Sequence, residues 1–91
     1  MLVPDEFTHL VHRFYQGSEA GISTMEQWVA LAVRGLNQQQ QAVIKRFLRD
    51  LLARNPSDAE LRRIWEDTGP NYDFEDIRGV LTLIRDAIPS P

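Results

Sequence analysis

The stretch NQQQQAVIKRFLRDLLARN, residues 37–55, carries the clearest folding signal in the chain. Its apolar side chains recur three and four positions apart, as they do along one face of an α-helix; they are Val43, Ile44, Phe47, Leu48, Leu51 and Leu52. Asn37 and Gln40 have the spacing of a capping box, and Pro56 disfavours helical geometry at Asn55. The stretch therefore predicts a long amphipathic helix that begins at an Asn37 cap and ends at Asn55.

Two shorter helices are predicted on its N-terminal side. The first follows Pro4, which suits a first helical turn, and we expect it to end at Gly17. Its apolar stripe comprises Phe7, Leu10, Val11 and Phe14. The second is predicted to begin at Ser23, with Glu26 completing a capping box, and to end at Gly35. Its inner side comprises Met25, Trp28, Val29, Ala32 and Val33.

Two more helices are predicted on the C-terminal side. Ser57 caps the first, with Glu60 three positions later, and the breaker run from Thr68 to Asn71 ends it. Its inner side comprises Leu61, Ile64 and Trp65. Asp73 is expected to cap the last helix, with Asp76 three residues on. The last stripe comprises Phe74, Ile77, Leu81, Ile84 and Ile88. Gly79, inside this helix, indicates that a neighbouring helix or side chain comes close there.

These patterns together predict an all-α fold: a compact bundle of about five short helices with no sheet. No convincing alternation of apolar and polar residues indicates a strand. Ninety-one residues correspond to one domain, so we expect residues 1–91 to form a single helical domain.

Composition narrows the function. Apolar residues make up 43% of the chain and charged residues 25%, as in ordinary globular domains. The net charge of −3 argues against general nucleic-acid binding. No apolar run approaches the ~20 residues that span a bilayer, and the start of the chain does not resemble a secretory signal. With no cysteine present, these features favour a cytoplasmic protein that does not bind membranes.

Catalytic and metal chemistry have little support. His9 and His12 lie about 200° and 140° from Phe7 around the first helix, on its wet side. With Glu6 they offer an incomplete metal site without cysteines, so we interpret them as surface histidines. The acidic residues do not have the spacing of a calcium loop, and no glycine-rich phosphate loop is present. We therefore expect a protein that is not an enzyme and has no cofactor and no metal.

Two charged regions stand out. Lys45, Arg46, Arg49 and Arg54 accompany Asp50 on the long helix. Such a row could contact phosphate, but more often it simply solvates the outer face of a core helix. The stretch IWEDTGPNYDFEDI, residues 64–77, combines aromatic and acidic residues with no basic one. We call residues 66–76 the acidic corner. Its candidate partner-binding residues are Glu66, Asp67, Tyr72, Asp73, Glu75 and Asp76.

Two interpretations of the acidic corner are open. In the first it is structural: acidic residues favour a helix N-terminus, and the aromatic residues pin the turn. In the second it is a docking surface, whose negative charge steers a basic partner and whose aromatic edges supply contacts.

The run from Phe47 to Ile88 resembles small helical immunity proteins of bacterial contact-dependent growth inhibition systems. The matching features are Phe47-Leu48 with Leu51-Leu52, the run from Ser57 to Leu61, Trp65, the turn with a glycine, Tyr72 and Phe74, Gly79, and the pair Leu81 and Ile84. The run from Phe7 to Leu10 and Tyr15 also resemble the opening helix of that family. The segment after Tyr15 departs from it, since an aromatic and acidic stretch usually follows there.

This resemblance implies a non-enzymatic protein that binds and blocks the C-terminal domain of a toxin in the cytoplasm. Many such toxins act on nucleic acids and have basic active sites, which a carboxylate-rich surface can occupy as phosphate does. We carry over no binding residue from the family. The alternative function is a small structural or regulatory subunit, for example a homodimer that buries surplus apolar surface against its own copy.

Overall fold

Five α-helices form the computed structural model of this protein, which describes residues 3–15 and 21–89. They are α1 (Asp5–Val11), α2 (Met25–Arg34), α3 (Gln38–Ala53), α4 (Asp58–Asp67) and α5 (Ile77–Ala87). Within these residues there is no strand, and Tyr15 and Asn71 form a single isolated β-bridge. The prediction of an all-α bundle without a sheet is confirmed.

The last helix lies at the centre of the packing. α5 contacts α2, α3 and α4, while α1 packs on α3. Its inner residues Ile77, Leu81 and Ile84 are almost completely buried, as the predicted stripe requires. The radius of gyration is 12.2 Å, which matches the ~12 Å expected for a compact chain of this length.

The predicted cap of α3 is confirmed. The Asn37 side chain accepts from the backbone N–H of Gln40 at 2.8 Å, and the Gln40 side chain accepts from the N–H of Asn37 at 2.9 Å. The end of the helix also agrees closely: Ala53 is its last residue, and Asn55 has the left-handed φ of 51° that asparagine tolerates.

The caps of α2 and α4 differ in how well they were predicted. Ser57 caps α4 as expected, accepting from the N–H of Glu60. The prediction that Ser23 caps α2 is wrong by one residue. Thr24 is the cap and accepts from the N–H of Gln27, whose side chain in turn accepts from the N–H of Ser23. The predicted pair, Ser23 and Glu26, and the observed pair, Thr24 and Gln27, have the same spacing in the sequence. The local pattern alone therefore does not choose between them.

The prediction that α1 continues to Gly17 is also wrong. The helix ends at Val11, and Gly17 itself lies outside the described residues. Phe14 is nevertheless fully buried, because the chain after α1 turns and inserts its ring between Trp28, Trp65 and Phe74. The aromatic cluster, rather than the helix, holds Phe14 in the core.

The start of α5 needs a further correction. Asp76, not Asp73, is its N-cap: the Asp76 carboxylate accepts from the N–H of Gly79 at 2.9 Å. A Cβ built on Gly79 would lie 2.2 Å from the second oxygen of that carboxylate. The close side chain expected at Gly79 is therefore the helix's own cap.

The C-terminal end of α5 is held by a residue of α3. Lys45 Nζ donates to the carbonyl oxygens of Arg85 at 2.7 Å and of Ile88 at 2.9 Å. A cation is favourable at the negative end of a helix, where carbonyl groups lack partners within the helix. One member of the basic row on α3 thus has a structural role.

Candidate functional site

A concave surface lies beside α5. It is an open groove of about 1050 Å³ between the first turn of α2, residues 72–76 and the first half of α5. Met25, Val80 and Leu83 give it an apolar base. Asp73, Glu75 and Asp76 add three carboxylates to its lining. We call it the α5 groove.

Tyr72 lines this groove and packs against two aromatic neighbours. Its ring centroid is 4.9 Å from that of Trp28 and 4.8 Å from that of Phe74. Its carbonyl oxygen accepts from Nε1 of the buried Trp65 at 2.9 Å. The ring is half-buried and already ordered by these contacts. It therefore loses little side-chain entropy when its exposed edge contacts a ligand.

Arg62 organises the chain that forms the groove wall. Its guanidinium lies 3.0 Å from the Asp73 carboxylate and donates to the carbonyl oxygens of Phe74 at 2.9 Å and Glu75 at 2.8 Å. The planar fork of arginine suits several acceptors at once. The sequence did not reveal the role of Arg62. The end of α4 and a turn separate Arg62 from Asp73 along the chain, and no local motif joins the two residues.

The acidic residues of the corner have different tasks. Asp73 is paired with Arg62, and its carboxylate also accepts from the N–H of Phe74. Asp76 is used as the cap of α5. The Glu75 carboxylate is exposed and takes part in no ion pair or hydrogen bond with the described part of the chain. Glu75 is therefore the uncommitted negative charge of the groove.

Four of the six candidate residues come together in the groove, namely Tyr72, Asp73, Glu75 and Asp76. Glu66 and Asp67 are exposed at the end of α4 and do not line it. The groove also contains Met25 and Leu83, which the sequence did not mark as surface residues. They are half-buried and pack against the core, as the partly apolar sides of amphipathic helices often do.

Two further side chains, those of Arg78 and His12, make contacts on either side of the corner. Arg78 donates to the Asp58 carboxylate at 2.9 Å and to the Pro56 carbonyl, which ties the start of α5 to the start of α4. His12 Nε2 lies 2.7 Å from the Thr68 carbonyl oxygen and donates to it at the end of α4. His9 and His12 are both exposed, as the sequence predicted.

In residues 3–15 and 21–89, no group of three or more histidine or acidic side chains is placed to hold a metal ion. In the same residues, no helix is long and apolar enough to traverse a lipid bilayer.

Comparison with known proteins gives no relative. No family model matches the chain, and neither a curated protein nor a solved structure matches it. The resemblance to immunity proteins therefore stays a prediction.

Proposed function

We propose that this protein is a binding module that takes up a basic protein partner in the α5 groove, and that it serves as an immunity protein that neutralises a toxin domain. One observation supports this most directly: the ring of Tyr72, apolar side chains and the uncommitted Glu75 carboxylate line one groove, whose backbone is hydrogen-bonded by Arg62 and Trp65. Such a combination of aromatic anchor and polar rim is typical of the energetic centre of protein interfaces.

The groove favours a cation-bearing segment over a uniformly basic surface. Asp73 and Asp76 are already engaged in the fold, so Glu75 is the carboxylate that a partner can pair with fully. Met25 and Leu83 favour an apolar side chain next to that cation. Glu66 and Asp67, outside the groove, contribute long-range attraction and so affect the association rate more than the lifetime of the complex.

Preorganisation supports tight binding. The wall is fixed by Arg62 from α4 and by Trp65 below Tyr72. A surface that is already ordered loses little entropy on association, and affinity gains from that.

A toxin or large secreted adhesin encoded immediately upstream of this gene would favour the immunity function, so the test uses the protein encoded there. Its C-terminal domain is expressed alone in bacteria, with and without this chain, and growth is measured. Affinity between the two purified proteins is then measured for the parent and for Glu75→Lys. We expect protection from growth arrest, and a loss of affinity of roughly tenfold or more in the variant.

Glu60→Lys is the matched control, since Glu60 is exposed, changes charge by the same amount and lies outside the α5 groove. It should bind almost as well as the parent. A lack of protection with no binding would contradict the immunity function. The mass of the purified protein in solution distinguishes the homodimer alternative from the immunity function, because a homodimer has twice the monomer mass.

A further inference from the structure

The basic row on α3 includes charges that the fold does not use. Lys45 is committed to the end of α5. Arg46, Arg49 and Arg54 are exposed, and in the described residues none of their side chains takes part in an ion pair or a hydrogen bond. Three other arginines do form ion pairs: Arg62, Arg78 and Arg85. The unused cations of α3 are thus available to a ligand.

Two of the unused arginines, Arg46 and Arg54, line a partly apolar groove. It has a volume of about 430 Å³ and lies between α3 and Pro4, the residue that precedes α1. Val43 and Phe47 belong to the predicted core stripe but are only half-buried, so they leave apolar surface in this groove. The Phe47 ring is held in place by Phe7, at 5.2 Å between centroids. We call this surface the α3 groove.

The charges of the α3 groove follow a regular pattern. Arg46, Asp50 and Arg54 line it at intervals of four residues, which places them on one side of the helix. The two arginines are separated by about 12 Å along the axis, and the stretch from Val43 to Arg54 covers about 16 Å. A helix of about three turns has the length to match it.

We propose that the α3 groove docks an acidic amphipathic helix of a partner protein. Val43 and Phe47 receive its apolar side chains, while Arg46 and Arg54 pair with carboxylates on its flanks. Asp50 favours a basic or neutral residue between those carboxylates, since like charges repel. This is the helix-in-groove mode of recognition, with apolar anchors three and four positions apart.

The same observations disfavour two other occupants. Nucleic acid gains affinity from an uninterrupted set of phosphate contacts, whereas Asp50 places a negative charge within the row and the two apolar side chains contact no phosphate. A second copy docked face to face would bring two surfaces of equal positive charge together. An acidic helix satisfies both the apolar and the charged parts of the groove.

The test measures binding of a fluorescently labelled helical peptide by anisotropy. The probe has about three turns, leucines on one face and glutamates on both flanks. A peptide with lysines in place of the glutamates and a single-stranded RNA oligonucleotide serve as competitors of different chemistry. We expect the glutamate peptide alone to bind, and backbone amide NMR shifts to concentrate in residues 43–54.

Arg46→Glu should weaken binding of the glutamate peptide by roughly fivefold to tenfold, because one attractive charge becomes repulsive. Arg34→Glu is the control: Arg34 is also an exposed helical arginine, and it does not line the groove. Val43→Ser tests the contribution of the apolar surface of the α3 groove. The unfolding transition of this variant is measured to confirm that the fold is kept.

Failure of the glutamate peptide to bind would overturn the proposal. So would equal binding of the lysine peptide, or equal weakening by Arg46→Glu and Arg34→Glu. Binding of RNA in preference to the glutamate peptide would overturn it in favour of a nucleic-acid surface.

Discussion

The guanidinium of Arg62 lies 3.0 Å from the carboxylate of Asp73, and this ion pair joins α4 to the turn before α5. The Asp73 side chain is 62% exposed and that of Arg62 is 33% exposed, so water screens the pair. Arg62 also donates to two backbone carbonyls, and its contact with the Phe74 carbonyl is partly buried. The role of Arg62 therefore depends more on the backbone than on the charge of Asp73.

Two substitutions separate these contributions. Arg62→Met keeps much of the apolar stem but removes all three donated bonds, and we expect it to lower the free energy of unfolding by about 1–3 kcal/mol. Asp73→Asn keeps an oxygen acceptor and removes only the exposed charge, so its cost should stay below about 1 kcal/mol. Urea unfolding measures both. An equal or greater cost for Asp73→Asn would show that the ion pair dominates.

Lys45 offers a second test of stability. Lys45→Met leaves the last carbonyls of α5 without their donor, and we expect a cost of about 1–2 kcal/mol. Arg49→Met on the same helix removes a cation that has no partner in the described residues, and it should change stability by less than about 0.5 kcal/mol. Similar urea midpoints for the two variants would contradict a structural role for Lys45.

Gly79 provides a third test of stability. Glycine to alanine inside a helix normally gains up to about 1 kcal/mol. Here the added methyl group collides with the Asp76 carboxylate, so Gly79→Ala must displace the cap and should be neutral or destabilising.

The Asp76→Ala background removes that obstacle. In this background Gly79→Ala should stabilise the protein by up to about 1 kcal/mol, and the double-mutant cycle should show coupling between the two residues. Thermal unfolding of the four proteins gives the coupling. Additive effects would mean that the side chain of Asp76 does not restrict position 79.

His12 offers a fourth test of stability, at the C-terminal end of α4. His12→Ala removes the donor to the Thr68 carbonyl and should cost about 0.5–1.5 kcal/mol. His9→Ala is the control, because His9 is also an exposed histidine and lies in α1, next to the His12 C-cap of that helix. Hydrogen exchange should also show faster opening of residues 68–72 in His12→Ala. Equal stability and equal exchange in the two variants would argue against the contact.

The sequence predicted those features of the fold that depend on local spacing. The capping box of Asn37 and Gln40 and the stripe of α5 belong to single segments, so periodicity is enough to find them. The end of α1 was predicted wrongly because Phe14 fits the helical spacing by position while its burial depends on Trp28 and Phe74. Burial of Phe14 by residues distant in the sequence thus gave the same apolar spacing as a longer helix would.

The candidate site was predictable in composition and not in arrangement. The acidic corner was visible as a run of residues, but whether each carboxylate is engaged depends on partners elsewhere. Arg62 engages Asp73, which leaves Asp76 as the helix cap. The α5 groove exists because α2 packs against α5, and no local pattern reports the distance between them.

The most direct test of the account is the footprint of the upstream protein's C-terminal domain on this chain, measured from backbone amide NMR spectra. We predict that the largest changes occur at Met25, Tyr72, Glu75 and Leu83, and that Arg49 on the outer side of α3 is unaffected. Changes confined to α3, with none around Tyr72 and Glu75, would contradict the assignment of the α5 groove as the partner-binding site.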